Sequence, residues 1–438
     1  MPKPGYLFSA TPTAFGAAAP ALGSGRIDSE QPAPAKTRPQ AVPRRAALDG
    51  VRVLDFGWNW AGPMAGQLLA DMGAEVIRIE TTLRPDNMRA FAHNAYFFCH
   101  NNRSKKSATF NIADPRGAEL VRKLAEKCDI VMDNFAAGVM AKNGLGYEDL
   151  ARANPNIIVV SMSMAGQQGP KRDMRGFAAI SSGYAGLDHK VGYREDQLAT
   201  SFMNFGIGDT AQAIQGAIGA LAALVHRQQT GRGQFVDLGQ TASMCASLGE
   251  YLIDYQLNGR KPAIRGDQHP HYAPHGIYGT QGGRWLALAV RDQADWQALC
   301  GILGRDDWRR DETLASPAGR RQRAAEIDDV IRAWCQQADR DEAVARLCAA
   351  GLPAAPVLEL AELDGHAAFA GRKLTLHHQG GTFEPCTIYA TPWHFTATAA
   401  AMTRPTPAIG EHNDYVYGEL LGLDPTVIRQ LQEEKVLV

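Results

Sequence analysis

The sequence has no cysteine pair spaced for a redox or zinc site, no apolar run long enough for a membrane helix, and almost no net charge. Each absence removes a class of function. The seven cysteines, Cys99, Cys128, Cys245, Cys300, Cys335, Cys348 and Cys386, are scattered without a CxxC pair, so they read as reduced thiols that mostly pack. The longest apolar candidate, 211–225, is interrupted by Gln212, Gln215, Gly216 and Gly219 and falls short of the roughly 18 residues a spanning helix needs. With 45 basic against 46 acidic side chains and a formal net charge of −1, no global field would hold a nucleic acid or an anionic membrane to the chain. A soluble cytoplasmic protein that recognises its ligands locally is expected.

What is present suggests two lobes. A chain of 438 residues with 45% hydrophobic content is about twice the usual domain size. Residues 1–46 are rich in Ala, Pro, Gly and Ser without periodicity, so they are expected to be a disordered tail outside the fold. They have no charged region followed by an apolar core and cleavage site, which argues against a targeting peptide. From Val51 onward VRVLDF and EVIRIE read as strands around a helix at 63–72, and helix–strand alternation continues through DIVMDNF and NIIVVSMSM. That alternation predicts a large α/β lobe over 47–258, its parallel sheet in a Rossmann-like arrangement covered on both faces. A long helix over 210–229 precedes the strand QFVDLG. Residues 259–385, with the hairpin IYGTQGGRWLALAV and charged helices, read as a smaller α+β lobe, and 386–438 as a segment returning to the first lobe.

Three constellations can carry chemistry. The first βαβ turn has Gly57, Gly62 and Gly66, a spacing other than GxGxxG, and bulky Trp58 and Trp60 fill the loop; a nicotinamide site is disfavoured, yet the turn sits where open α/β folds place ligands. Gly208 and Asp209 stand before the long helix. Asp209 reads as an N-cap completed by Gln212, and equally as a carboxylate nucleophile kept ionised by the helix terminus. The loop NNRSKKS places Arg103, Lys105 and Lys106 together, either as a solvated cluster or as a phosphate site. His269, His271 and His275 lack partners at metal-ligand spacing, so no metal is expected.

The order of these motifs resembles class III CoA-transferases of the CaiB/BaiF type, the family of formyl-CoA transferase and carnitine CoA-transferase, over Leu48 to Val438. The matching stretches are LDGVRVLDFGWNWAGPMAGQLLADMGAEVIRIE, the NNRSKKS loop, DNFAAGVMAKNGLGYEDLARANPNIIVVSMSMAGQQGP, GDTAQAIQGAIGALAALVHRQQTGRGQFVDL and the late AGLPAAPV. The resemblance implies that Asp209 is the nucleophile, that coenzyme A or acyl-CoA is bound as a substrate with no permanent cofactor, and that two chains interlock as a dimer. It places Trp60, Ala61, Thr81, Phe110, Asn111, Asn134, Phe135 and Lys142 in the CoA pocket and Arg175, Phe177 and Ala178 along the active site. Departures are informative. Trp60 and Thr81 replace a glutamine and an arginine of formyl-CoA transferase, Phe177 replaces the histidine a racemase needs, and Ala178 replaces an acid. The expected reaction is transfer of CoA from an acyl-CoA donor such as succinyl-CoA to a medium or aromatic carboxylic acid, with Trp58, Trp60, Phe177 and Tyr184 converging on the acyl group. The rival readings are a non-catalytic subunit of a heteromeric transferase and an acyl-CoA racemase.

Overall fold

The computed structural model describes residues 5–12, 46–90, 95–194, 196–198, 206–376, 384–398 and 400–438. The chain divides into two compact units, one made of Met1–Leu187, Ser201–Arg260 and Arg372–Val438, the other of Asp188–Thr200 and Lys261–Gly371. The first unit therefore takes the chain back at Arg372 rather than at 386, and 188–200 goes to the second.

In the first unit the elements run β1 (Tyr6–Phe8), β2 (Arg52–Asp55), α1 (Ala61–Asp71), β3 (Glu75–Glu80), α2 (Asn87–Ala90), α3 (Ala95–Asn102), β4 (Lys106–Thr109), α4 (Pro115–Ala125), β5 (Ile130–Asp133), α5 (Val139–Lys142), α6 (Tyr147–Ala153), β6 (Ile158–Ser161) and α7 (Ala178–Tyr184). A short hairpin, β7 (Gly192–Arg194) and β8 (Gln197–Leu198), belongs to the second unit. Then follow α8 (Ile207–Thr230), β9 (Phe235–Leu238), α9 (Gln240–Ala246) and α10 (Gly249–Asn258).

The seven-stranded sheet has the order β1-β9-β6-β5-β2-β3-β4, parallel throughout except that β1 runs antiparallel to β9. Counted from β2, the six parallel strands stand in the 3-2-1-4-5-6 order of dinucleotide-binding folds. The pleat sends alternate residues to opposite faces. Val53, Val76, Ile130 and Ile158 enter one core with Ala213, Ala217 and Ala220 of α8, while Leu54, Ile77, Val131 and Val159 enter the other with Leu120 and Leu124 of α4. Strands buried on both faces read as continuous apolar runs, as these do. Val416, Tyr417 and Leu420 of the returning C-terminal segment join the second of these cores.

The strand β1 corrects the expectation that the whole of 1–46 lies outside the fold: Tyr6, Leu7 and Phe8 pair with Leu238, Asp237 and Val236. Three residues are too short to show periodicity, but the edge of β9 offers unpaired backbone groups that a short strand satisfies. Residues 13–45 lie outside the described residues.

The second unit contains an antiparallel sheet of β10 (His275–Gly279), β11 (Trp285–Ala289) and β12 (Ala354–Val357). Helices Gln293–Leu303, Ala324–Gln336 and Arg340–Ala349 follow β11 in the chain. Leu286, Leu288, Trp296, Trp308 and Ile331 form its core, with the two tryptophan rings stacked 5.7 Å apart.

Candidate active site

In a sheet of this order the chain reverses direction between β2 and β5, leaving a crevice at the carboxyl ends of the strands. A groove of about 560 Å³ occupies that position. Phe56 and Trp58 follow β2, Thr81 follows β3, Phe110 and Asn111 follow β4, and Phe135 follows β5; all line the groove, together with Arg84 and Arg175. The turn after β2 is closed by bare backbone. A Cβ on Gly57 would lie 2.6 Å from the Gly62 carbonyl carbon, a distance no side chain tolerates. Asn134 fixes Trp58 from both sides, accepting its N–H at 2.7 Å and donating to its carbonyl at 2.9 Å. The Arg84 guanidinium lies 4.7 Å from the Trp58 ring.

Five of the residues expected to meet CoA, namely Thr81, Phe110, Asn111, Phe135 and Arg175, thus come together in one groove. Asn134 supports it through Trp58, and Lys142 lies on α5, whose Val139 is in the wall. Trp60 and Ala61 do not line it. They start α1, where Ala61 is buried and the Trp60 ring packs 4.9 Å from Phe97 and 3.0 Å from the Cβ position of Gly206.

The basic loop is corrected more sharply. Arg103 turns inward and pairs with Asp71 at 2.7 Å, and Lys105, fully buried, pairs with Asp55 at 2.6 Å and donates to Asn102 and to the Pro63 carbonyl. Lys106 pairs with Glu75 at 2.5 Å beneath the Tyr415 ring. Their charges are spent inside the protein, so they do not form a phosphate site. The burial of Lys105 pulls its ammonium down to about 8 despite Asp55.

Asp209 lies in the first turn of α8 but is not its cap. The helix begins at Ile207 behind Gly206, which is left-handed at φ 63° and makes no side-chain cap. Gln212 does not complete a capping box; its amide donates to the Ser163 and Leu238 carbonyls at 3.0 and 3.2 Å. The Asp209 carboxylate instead accepts from Gln240 Nε2 at 2.9 Å. Burial raises its pKa, and the Gln240 hydrogen bond opposes the rise. The positive end of α8 also favours the ionised form.

Two short stretches tie the groove to this helix start. Arg175 lines the groove, and Ala178, three residues on, packs against Gly208, whose Cβ would lie 3.4 Å from the Ala178 Cα. Trp58 lines the groove and Trp60 covers Gly206. Asp209 itself is not a groove wall. Phe177 is 71% exposed and Tyr184 58%, so the four aromatic residues expected to converge have different surroundings. Gln240, missed in the sequence, carried one signal: it stands just past the carboxyl end of a strand, in DLGQ. In the second unit His269 stacks on Tyr272 at 4.3 Å, and no cluster able to hold a metal exists among the described residues. Cys99, Cys128, Cys245, Cys300, Cys335 and Cys348 are free thiols, and no helix among the described residues is long and apolar enough to cross a membrane.

With this sheet, switch-point groove and helix-borne carboxylate, the chain belongs to CoA-transferase family III, whose model matches residues 48–413. It is a CoA-transferase, and CoA thioesters are its substrates. It is similar to the succinyl-CoA–D-citramalate CoA-transferase of Chloroflexus aurantiacus, 32% identical over 395 residues, covering 89% of this chain and 98% of the relative. The alpha subunit of the succinyl-CoA–L-malate CoA-transferase of Chloroflexus aurantiacus is 30% identical over 94% of this chain and 98% of its own. Among solved structures, a CAIB/BAIF family protein from Brucella suis superposes with a TM-score of 0.76 at 27% identity, over 86% of this chain and 100% of that one.

Proposed function

We propose that the protein moves coenzyme A from succinyl-CoA to a medium-sized carboxylic acid, a dicarboxylate before an aromatic one, through an aspartyl-CoA thioester on Asp209. The observation that carries this reading is the placement of a partly buried, amide-held carboxylate at the start of α8, tied through Ala178 and Trp60 to a groove at the sheet's switch point. Exchange of CoA between two acids is nearly isoenergetic, so a nucleophile helps by dividing one transfer into two acyl exchanges. Asp209 attacks the donor thioester, giving a mixed anhydride and CoA thiolate. The thiolate attacks the aspartyl carbonyl and releases the donor acid, and the acceptor reverses the sequence.

Succinyl-CoA is favoured as donor because both curated relatives described above are named for it. A dicarboxylate acceptor follows the same relatives, and the separate surroundings of Trp60 and the exposed Phe177 weaken the case for an aryl pocket. Arg84 and Arg175 supply the cationic contacts for CoA phosphates in the groove. A homodimer in the cytoplasm completes the reading. Ile207, Ile214, Ile218 and Val225 leave an exposed apolar stripe along α8 that a second chain would cover.

Asp209→Asn tests the assignment. The amide keeps the shape but not the nucleophile, so transfer should fall by at least about 10³-fold, some 4 kcal/mol of barrier, with an unchanged circular dichroism spectrum. Retained transfer would remove Asp209 from the mechanism.

A further inference from the structure

We propose that Gln240 is the positioning residue for this nucleophile, turning Asp209 so that one oxygen attacks while the other is held on an N–H that receives the charge of the two tetrahedral intermediates formed at the Asp209 carbonyl carbon. The inference rests on the assignment of Asp209 and adds to it a second residue and a division of labour between the two carboxylate oxygens.

The geometry leaves the Gln240 amide one orientation. Gln212, 2% exposed, directs its nitrogen to the carbonyls of Ser163 and Leu238. Carbonyl oxygens only accept, so the Gln212 amide cannot reverse, and its Oε1 must face Gln240. Gln240, 3% exposed, answers with Nε2 at 3.2 Å, and the same nitrogen donates to Asp209 Oδ1 at 2.9 Å. Both amide hydrogens are committed. The cost is visible: Gln240 Oε1 is buried without a partner, a defect of about 1–3 kcal/mol. Reversal would only point that oxygen at a carboxylate. Burial works against the Asp209 carboxylate, and this hydrogen bond opposes it together with the positive end of α8.

In the first exchange Oδ2 attacks the donor carbonyl carbon; the C–O bond forms, the C–S bond breaks, and the thiolate leaves with its electron pair. The thiolate then attacks the Asp209 carbonyl carbon, charge collects on Oδ1 against the Gln240 N–H, and the bond to the bridging oxygen breaks as the donor acid departs. The acceptor carboxylate attacks the aspartyl thioester and again drives charge onto Oδ1 before expelling thiolate. That thiolate takes the acyl group from the new anhydride and frees the Asp209 carboxylate. No proton is needed at any step. One preorganised donor therefore serves both tetrahedral species formed at Asp209, the arrangement of an oxyanion hole.

The test compares Gln240→Met, which keeps the volume and removes the donor, with Gln212→Met, which frees Gln240 to turn. Gln240→Met should lower kcat by about 10²-fold, as loss of an oxyanion donor does, with KM for succinyl-CoA unchanged. The acid limb of kcat/KM should move to higher pH, because the bond that favours the carboxylate is gone while its burial remains. Gln212→Met should shift both in the same direction by less. Wild-type kcat and acid limb in both variants, with Asp209→Asn inactive, would overturn this inference alone; an active Asp209→Asn would overturn the nucleophile as well. A raised KM with the acid limb unmoved would show that Gln240 only packs.

Discussion

Arg103, Lys105 and Lys106 show what a residue-level reading of the chain misses. The string NNRSKKS is as compatible with a phosphate clamp as with an internal lattice of charges, because sequence gives the charges but not the direction in which a turn aims them. The structure spends them on Asp71, Asp55 and Glu75. Lys105→Met should therefore cost about 3–5 kcal/mol by stranding the buried Asp55, seen as a lower denaturation midpoint, and not raise KM in the protein that stays folded. Arg175→Ala should do the reverse: stability is kept, KM for acyl-CoA rises several-fold, and the difference shrinks with added salt as exposed charge pairs are screened. The position of Asp209 in the first turn of a long helix was legible, because its Gly-Asp pair precedes an Ala-rich run that ends in a TGRG turn. The contact of Gln240 with it was not, since that hydrogen bond spans 31 residues.

Among the elements, the parallel strands were the most legible part of the chain, because burial on both faces leaves no polar alternation to confuse with surface strands. Their carboxyl ends were less so. Asp133 closes β5 fully buried, accepting from the Phe135 N–H at 3.1 Å and from the Ser161 hydroxyl. Burial is the larger influence and pushes its pKa up to about 6 from 3.8. Below pH 3.8 the carboxyl is neutral in both folded and unfolded chains, so its stability contribution is whole; it is lost as pH rises through about 6 and the buried group must ionise. Asp133→Asn should thus stabilise the protein by up to about 3 kcal/mol at pH 8 and leave it unchanged near pH 3.5. Thermal melts at the two pH values check this, and equal effects at both would contradict the burial argument. The strand β1 lay beyond sequence reasoning for a different reason: three residues pair by taking up the free edge of β9, and an edge leaves no mark in the sequence that joins it.

At the scale of the whole molecule, the alternation of helices and strands foretold a large α/β unit and a smaller α+β one, while the crossing points of the chain were harder to place. The short hairpin of β7 and β8 joins the second unit and the chain returns to the first at Arg372, exchanges governed by contacts distant in sequence. The family, the sheet order and the switch-point groove define a CoA-transferase; covalent passage through Asp209 is the claim on which the mechanistic account turns. It is tested most directly by incubating the protein with succinyl-CoA and hydroxylamine, digesting it, and weighing the peptide that contains Asp209. The account predicts a hydroxamate at Asp209 that appears only with the thioester and is absent from Asp209→Asn. An unmodified Asp209 in a preparation that still transfers CoA, or a hydroxamate on another residue, would contradict it.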